Sequence, residues 1–213
     1  MTQTKIISPE KNTATLFAII FWCSIIAQFY LIIVNRTASI TETVIRFFSF
    51  FTILTNTLAA IYFTVRATEK KAFNRPGTLT AITVYITIVG LVYQVLLRHI
   101  WEPTGLQKVV DELLHTINPL LVILYWWLFE IKQQIKYRQV FSWLIYPLVY
   151  LVFILLRGSF SGFYPYPFIN VQEIGFAQTL TNAALLLAFF FAVSCLFIFA
   201  GRLSSKKYQE IIS

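Results

Sequence analysis

The sequence predicts an all-α, polytopic integral membrane protein, a six-helix bundle with both termini on the cytoplasmic side. Three observations predict it. Of 213 residues, 58% are hydrophobic and only 12% charged, against about 25% charged in a soluble domain, so the charges cannot cover a water-facing surface. Six apolar runs are long enough for a hydrocarbon core roughly 30 Å thick, at about 15–34, 44–65, 79–98, 108–129, 140–156 and 179–201. The basic residues are also uneven. Lys5, Lys11, Arg66, Lys70, Lys71, Arg75, Lys132, Lys136, Arg138, Arg202, Lys206 and Lys207 fall to one side of these spans; Arg36, Arg46, Arg98, Lys108 and Arg157 fall to the other. Basic loops stay in the cytoplasm, which places both termini there.

The first run is too long for a signal-peptide core and no small-residue cleavage site follows it, so it stays as the first span. The second contains "RFFSFFTILTNTL" (46–58), rich in hydroxyls and one amide. "EKKAFNRPG" leads to the third, which ends on Gln94 and Arg98. The fourth contains "VVDELLHTINPLLVILYWW", and "EIKQQIKYRQ" separates it from the fifth, the shortest, which holds Pro147. "RGSFSGFYPYPFINVQEIG" leads to the sixth. No repeat divides the chain, so residues 1–213 form one membrane domain.

The net charge of +8 is spread over short loops and points to topology and anionic lipid headgroups, not nucleic acid. Cys23 and Cys195 lie within apolar runs, spaced for neither zinc nor a disulfide framework, and read as small core residues. No HExxH, GxSxG, P-loop or GxGxxG occurs, so neither metal nor cofactor is expected.

Polar side chains are costly in lipid and face a bundle interior or a cavity. Gln28, Gln94, Asn118, Asn182, His115, Arg46, Arg98 and Arg157 all fall in the outer half, with Asn56 near the midplane. The inner halves, such as "LLVILYWWLF", are nearly devoid of polar groups. One polar half suggests either a pocket open to the outer leaflet or a hydrogen-bond network holding helices together. On a continuous helix of 3.6 residues per turn, Arg46, Ser49, Thr52 and Asn56 share a face, whereas Thr55 and Thr57 point elsewhere and are expected to bond back into their own helix. Asp111, His115 and Asn118 share a face of the fourth span by i, i+4, i+7 spacing. Thr52 and His115 then lie at one depth, about 12 Å along their helices.

A threonine hydroxyl becomes a nucleophile when a base takes its proton, and imidazole is the usual base. Asp111 or Glu112 would orient the imidazole; Asn56 or Asn118 would donate to an oxyanion. The loop "RGSFSGFYPYPF", with Tyr164 and Tyr166, reads either as an interfacial aromatic belt or as a lip over the polar half, with Arg157 free to bind an anionic group.

"RFFSFFTILTNTL", "ELLHTINPLLVILYWW" and "YPLVYLVFILLRG…YPYPF" together resemble a bacterial family of small six-span membrane proteins, itself similar to the eukaryotic androgen-induced (FAR/AIG-like) intramembrane threonine hydrolases. The resemblance spans about 15–200 and implies residence in the bacterial cytoplasmic membrane. It further implies hydrolysis of lipid-like esters, such as fatty acid esters of hydroxy fatty acids. "FFSFFT" is similar to the segment carrying that family's threonine and "LLHT" to the segment carrying its histidine, which places the pair on Thr52 and His115. The eukaryotic segment lacks the "NTL" that follows here, and Thr55 is a neighbouring alternative nucleophile. Ser49, Asn56, Asn118 and Asp111 are the expected supporting residues. Arg46, Arg98, Arg157, Gln94, Asn182, Tyr164 and Tyr166 are the expected contacts of a lipid or fatty-acid-ester substrate. The competing expectation is a transporter or amphiphile-binding protein whose outer-half cavity performs no chemistry.

Overall fold

The computed structural model describes residues 8–68, 70, 73 and 75–212, with 205–212 by backbone alone. Lys5, Lys71 and the side chains of Lys206 and Lys207 therefore lie outside the described residues. Within the described residues all regular structure is helical. Among the described residues five helices are long and apolar enough to cross a bilayer, or six where the bent pair Ile40–Phe47 and Phe51–Ala67 is counted as one span.

Helix α1 (Pro9–Val34) opens on Ser8, whose hydroxyl accepts from the Lys11 N–H, with Pro9 in the first position, a favoured start because both residues suit the unpaired N–H groups there. It begins ahead of its apolar run because Glu10 is tied to the Arg66 guanidinium and the Tyr125 hydroxyl. The second span is not one helix. It breaks into α2 (Ile40–Phe47) and α3 (Phe51–Ala67), which meet at 69°. Helices α4 (Thr78–Leu97), α5 (Gly105–Phe129) and α6 (Gln139–Ser161) follow, then a short α7 (Val171–Ile174) and α8 (Phe176–Ile212).

Two cores share the interior. One joins α1, α3 and α5 through Phe17, Phe21, Phe63 and Tyr125. Ala14, Ala18, Ala59 and Ala60 lie among these rings and let the helices approach closely, as small residues do in membrane bundles. The other joins α4, α6 and α8 through Tyr85, Ile154, Phe190 and Val193. Helix α3 bridges them, since its first residue, Phe51, packs on Tyr146, Tyr150 and Phe190 of the second core. Outward faces carry Leu16, Ile19, Ile26, Leu148 and Val152 exposed, as lipid contact requires. Cys23 faces outward with them, against the expectation of a core residue, and Cys195 is half-buried.

The connections at 35–39, 98–104 and 162–175 gather at one end. The opposite end, with residue 8 and the last turns of α8, is bound by Glu130 to Thr80, Gln139 to Pro76 and Arg202 to Ile135.

Candidate functional site

The breaks from regular helix in the second, third and fourth spans lie at the same place. The bend at 48–50 frees backbone groups that lipid cannot satisfy. Two tyrosines supply the partners: the Tyr150 hydroxyl donates to the Ser49 carbonyl at 2.9 Å, and the Tyr166 hydroxyl accepts from the Thr52 N–H at 3.4 Å. Thr52 thus occupies the second position of α3, in a helix N-terminus with no side-chain cap of its own. It is not on a continuous face with Arg46 and Ser49. The Ser49 hydroxyl is buried and donates to the Ile45 carbonyl at 2.7 Å, closing α2 and leaving nothing for a substrate.

On α5 the turn Leu113–Ile117 is wound as a π-helix. Pro119 explains it: proline has no N–H for the His115 carbonyl four residues back and its ring crowds that carbonyl. The Asn118 N–H therefore reaches Leu113, five residues back. The Leu114 carbonyl is then stranded, because its five-residue partner would be the missing N–H of Pro119. Asn56 fills the gap. Its amide donates to the Leu114 carbonyl at 3.3 Å and to the Thr52 carbonyl at 2.9 Å, while its oxygen accepts from Asn118 at 2.8 Å. Both asparagines are fully buried and lock α3 to the π turn; neither is placed to donate to an oxyanion.

A second π turn, Tyr93–Leu97, faces the first from α4. Tyr93 lies flat on the His115 ring, 4.1 Å away and 13° from parallel. Gly90 allows this approach, since a Cβ there would stand 2.9 Å from the His115 carbonyl oxygen. Gln94 donates to Thr116 at 2.8 Å, and Arg98 binds both Gln94 and Glu112. Gln94 and Arg98 therefore brace α4 against α5. Glu112, bound to Arg98 and Thr116, does not orient the histidine.

The braced turns place His115 Nε2 3.3 Å from Thr52 Oγ1. On its other side, His115 Nδ1 is 3.0 Å from the Asp111 carbonyl and 3.6 Å from the Asp111 carboxylate. A carbonyl only accepts, so Nδ1 carries the proton and Nε2 offers its lone pair to the Thr52 O–H. Asp111 thus fixes the tautomer with its backbone, not with its carboxylate; Oδ2 has no hydrogen-bond partner among the described residues. The Tyr166 hydroxyl stands 3.5 Å from Thr52 Oγ1. Thr55 is elsewhere, fully buried and 3.4 Å from the Tyr146 hydroxyl, and the Thr57 hydroxyl has no partner among the described residues. Neither bonds back into α3 as expected.

Thr52, His115, Asp111 and Tyr166 line a cavity of about 730 Å³ that reaches the end holding 35–39, 98–104 and 162–175. Arg36, Arg46, Gln28 and Gln107 also line it, the last two joined at 2.9 Å. No family model, curated protein or solved structure matches the chain.

Of the other expected substrate contacts, none lines this cavity. Arg157 and Arg46 both bind Glu42 at 2.8 Å and both lie over the Phe163 ring, at 4.8 and 4.6 Å from its centroid. Arg157 also donates to the Phe163 carbonyl at 3.2 Å, so it clasps the 162–175 loop that carries Tyr166. Tyr164 packs over Gly158, where any Cβ would overlap its ring at 2.1 Å. Asn182 holds the Phe168 carbonyl at 2.8 Å. These three anchor the loop. Nothing in the sequence pattern pointed to Tyr93, Gly90 or the Glu42–Phe163 clasp; Pro119 within "HTINP" is the residue from which the irregular turn could have been inferred but was not.

Proposed function

We propose that this protein is an integral membrane hydrolase of lipid-like esters, with Thr52 as nucleophile and His115 as general base. The observation that carries the reading is the Thr52 Oγ1–His115 Nε2 separation of 3.3 Å in a cavity wall, with the tautomer of His115 already set.

The chemistry follows from these positions. As Thr52 Oγ bonds to the ester carbonyl carbon, its proton passes to His115 Nε2. The negative charge gathering on the carbonyl oxygen is met by the Tyr166 hydroxyl, which stands beside the attacking atom and is itself held by the Thr52 N–H, and by the positive end of α3. The nearby Asp111 carboxylate stabilises the imidazolium. Collapse breaks the bond to the alkoxide, which leaves with the proton from His115. Water then attacks the acyl-threonine, His115 takes and returns one proton, and a carboxylic acid departs. The breadth of the cavity and the Arg36 and Arg46 guanidiniums suit a bulky, polar or anionic alcohol half. With twelve of seventeen basic residues on the side of the termini, the cavity opens to the outer face of a bacterial cytoplasmic membrane.

A fluorophosphonate probe, which captures activated hydroxyls, tests the pair in isolated membranes. Labelling of the wild-type protein is expected, with a loss of roughly 10²-fold or more in Thr52→Ala and in His115→Ala at unchanged expression. Labelling that persists in both variants overturns the assignment of the pair, and a wild-type protein that does not label leaves a cavity that holds an amphiphile without cleaving it.

A further inference from the structure

Thr52 and Tyr166 belong to two hollows, not one. Behind them, away from the polar cavity, lies a narrow slot of about 80 Å³ between α4, α6 and α8. Its walls are Ile88, Val89 and Val92 of α4, Leu151 of α6, and Ala183 and Leu187 of α8, among other apolar side chains. Beyond Thr52 itself, its polar side chains are two tyrosines, 150 and 166, whose hydroxyls are already turned to the break between α2 and α3. Ile88 and Val89 are buried, whereas Leu151, Leu186 and Leu187 are half-buried, so the slot runs from the reacting hydroxyl toward the lipid-facing side between α6 and α8.

We infer that this slot is the acyl site of the enzyme: an unbranched fatty acyl chain lies in it, with the ester carbonyl at Thr52 and the alcohol half in the polar cavity. The inference rests on the hydrolase reading and adds to it which half of the ester goes where. Shape and polarity decide the assignment. A narrow passage, apolar beyond the hydroxyls at its Thr52 end, accepts a methylene chain and rejects headgroups, whose desolvation its walls do not repay. The broad cavity with Arg36, Arg46, Gln28 and Gln107 takes what the slot refuses. Thr52 stands where the two join, which is where an ester's carbonyl carbon stands between its apolar and polar halves. A membrane position adds a route, since the chain enters sideways from the bilayer without crossing water.

Two variants alter the slot in opposite senses. Ala183→Phe shortens it and Leu187→Ala widens it, and both residues lie on α8, apart from the elements that carry Thr52, His115 and Tyr166. With straight-chain 4-nitrophenyl esters from acetyl to palmitoyl, Ala183→Phe is expected to lower the ratio of palmitoyl to acetyl rates roughly tenfold or more. Leu187→Ala is expected to move the preferred length upward. Equal loss at all lengths in the first, with no change of preference in the second, overturns the assignment.

A second measurement separates this inference from the hydrolase reading. Thr52→Ala protein in membranes is irradiated with a diazirine fatty acid and the adducts are mapped. Adducts on Ile88 and Val89, which lipid outside the bundle cannot reach, support the slot even where no hydrolysis is found. Their absence, with adducts only on outward-facing residues or in the polar cavity, overturns it.

Discussion

The Tyr166 hydroxyl meets Thr52 at two atoms, 3.5 Å from Oγ1 and 3.4 Å from the backbone nitrogen. Its ring is held independently, stacked 3° from parallel on Phe168 and edge-on to Phe50. Tyr166→Phe therefore removes the hydroxyl without moving the loop. If that hydroxyl stabilises the oxyanion, kcat for ester hydrolysis falls roughly 10²-fold while KM and the melting temperature in detergent hold. A fall in melting temperature at unchanged kcat would assign Tyr166 to capping α3 alone. Asn56 gives the opposite signature. Asn56→Leu leaves the buried Leu114 carbonyl unpaired, a loss of about 1–3 kcal/mol, so thermal stability is expected to fall first and activity only through the loosened π turn.

At the scale of elements, the site depends on helices that fail to be regular. Restoring an N–H with Pro119→Ala gives the His115 carbonyl its ordinary partner and lets the turn relax toward α geometry. Proline in a helix interior costs about 3 kcal/mol, so the variant is expected to keep or raise its melting temperature. Its hydrolytic rate should fall roughly 10²-fold as His115 swings off Thr52. Retained activity would show that the π turn is incidental. Gly90→Val attacks the same turn from α4 by pressing on the His115 carbonyl and should lower both quantities. This also marks how far the sequence could be read. Apolar runs located the spans, because length and hydropathy are local properties. Thr52 and His115 were legible as a pair at one depth. The break at Ser49–Phe50 was not, since no Pro or Gly marks it and its hydrogen bonds come from Tyr150 and Tyr166, about a hundred residues away. Nor was the fate of Arg98, Arg157, Gln94 and Asn182: polarity announces that a side chain needs a partner, not whether that partner is a substrate or a neighbouring helix.

For the whole molecule, the two ends do different work. The end with the termini is closed by Glu10–Arg66, Glu130–Thr80 and Arg202–Ile135 contacts. The other end carries the cavity and a loop clasped by Glu42, Arg46, Arg157 and Phe163. Which end meets the cytoplasm decides where substrate arrives, and the basic residues favour the closed end. Single cysteines placed at Glu102, beside the cavity mouth, and at Lys136, in the opposite connection, read the orientation directly. In a Cys23→Ser, Cys195→Ser background, a membrane-impermeant maleimide applied to intact cells is expected to label Glu102→Cys and spare Lys136→Cys until the cells are opened. The reverse pattern would turn the cavity to the cytoplasm and make the substrate a lipid of the inner leaflet. Labelling at Glu102 would instead fix the outer leaflet as the supply side for the proposed ester, whose acyl chain would then slide between α6 and α8 while its polar half enters by the mouth.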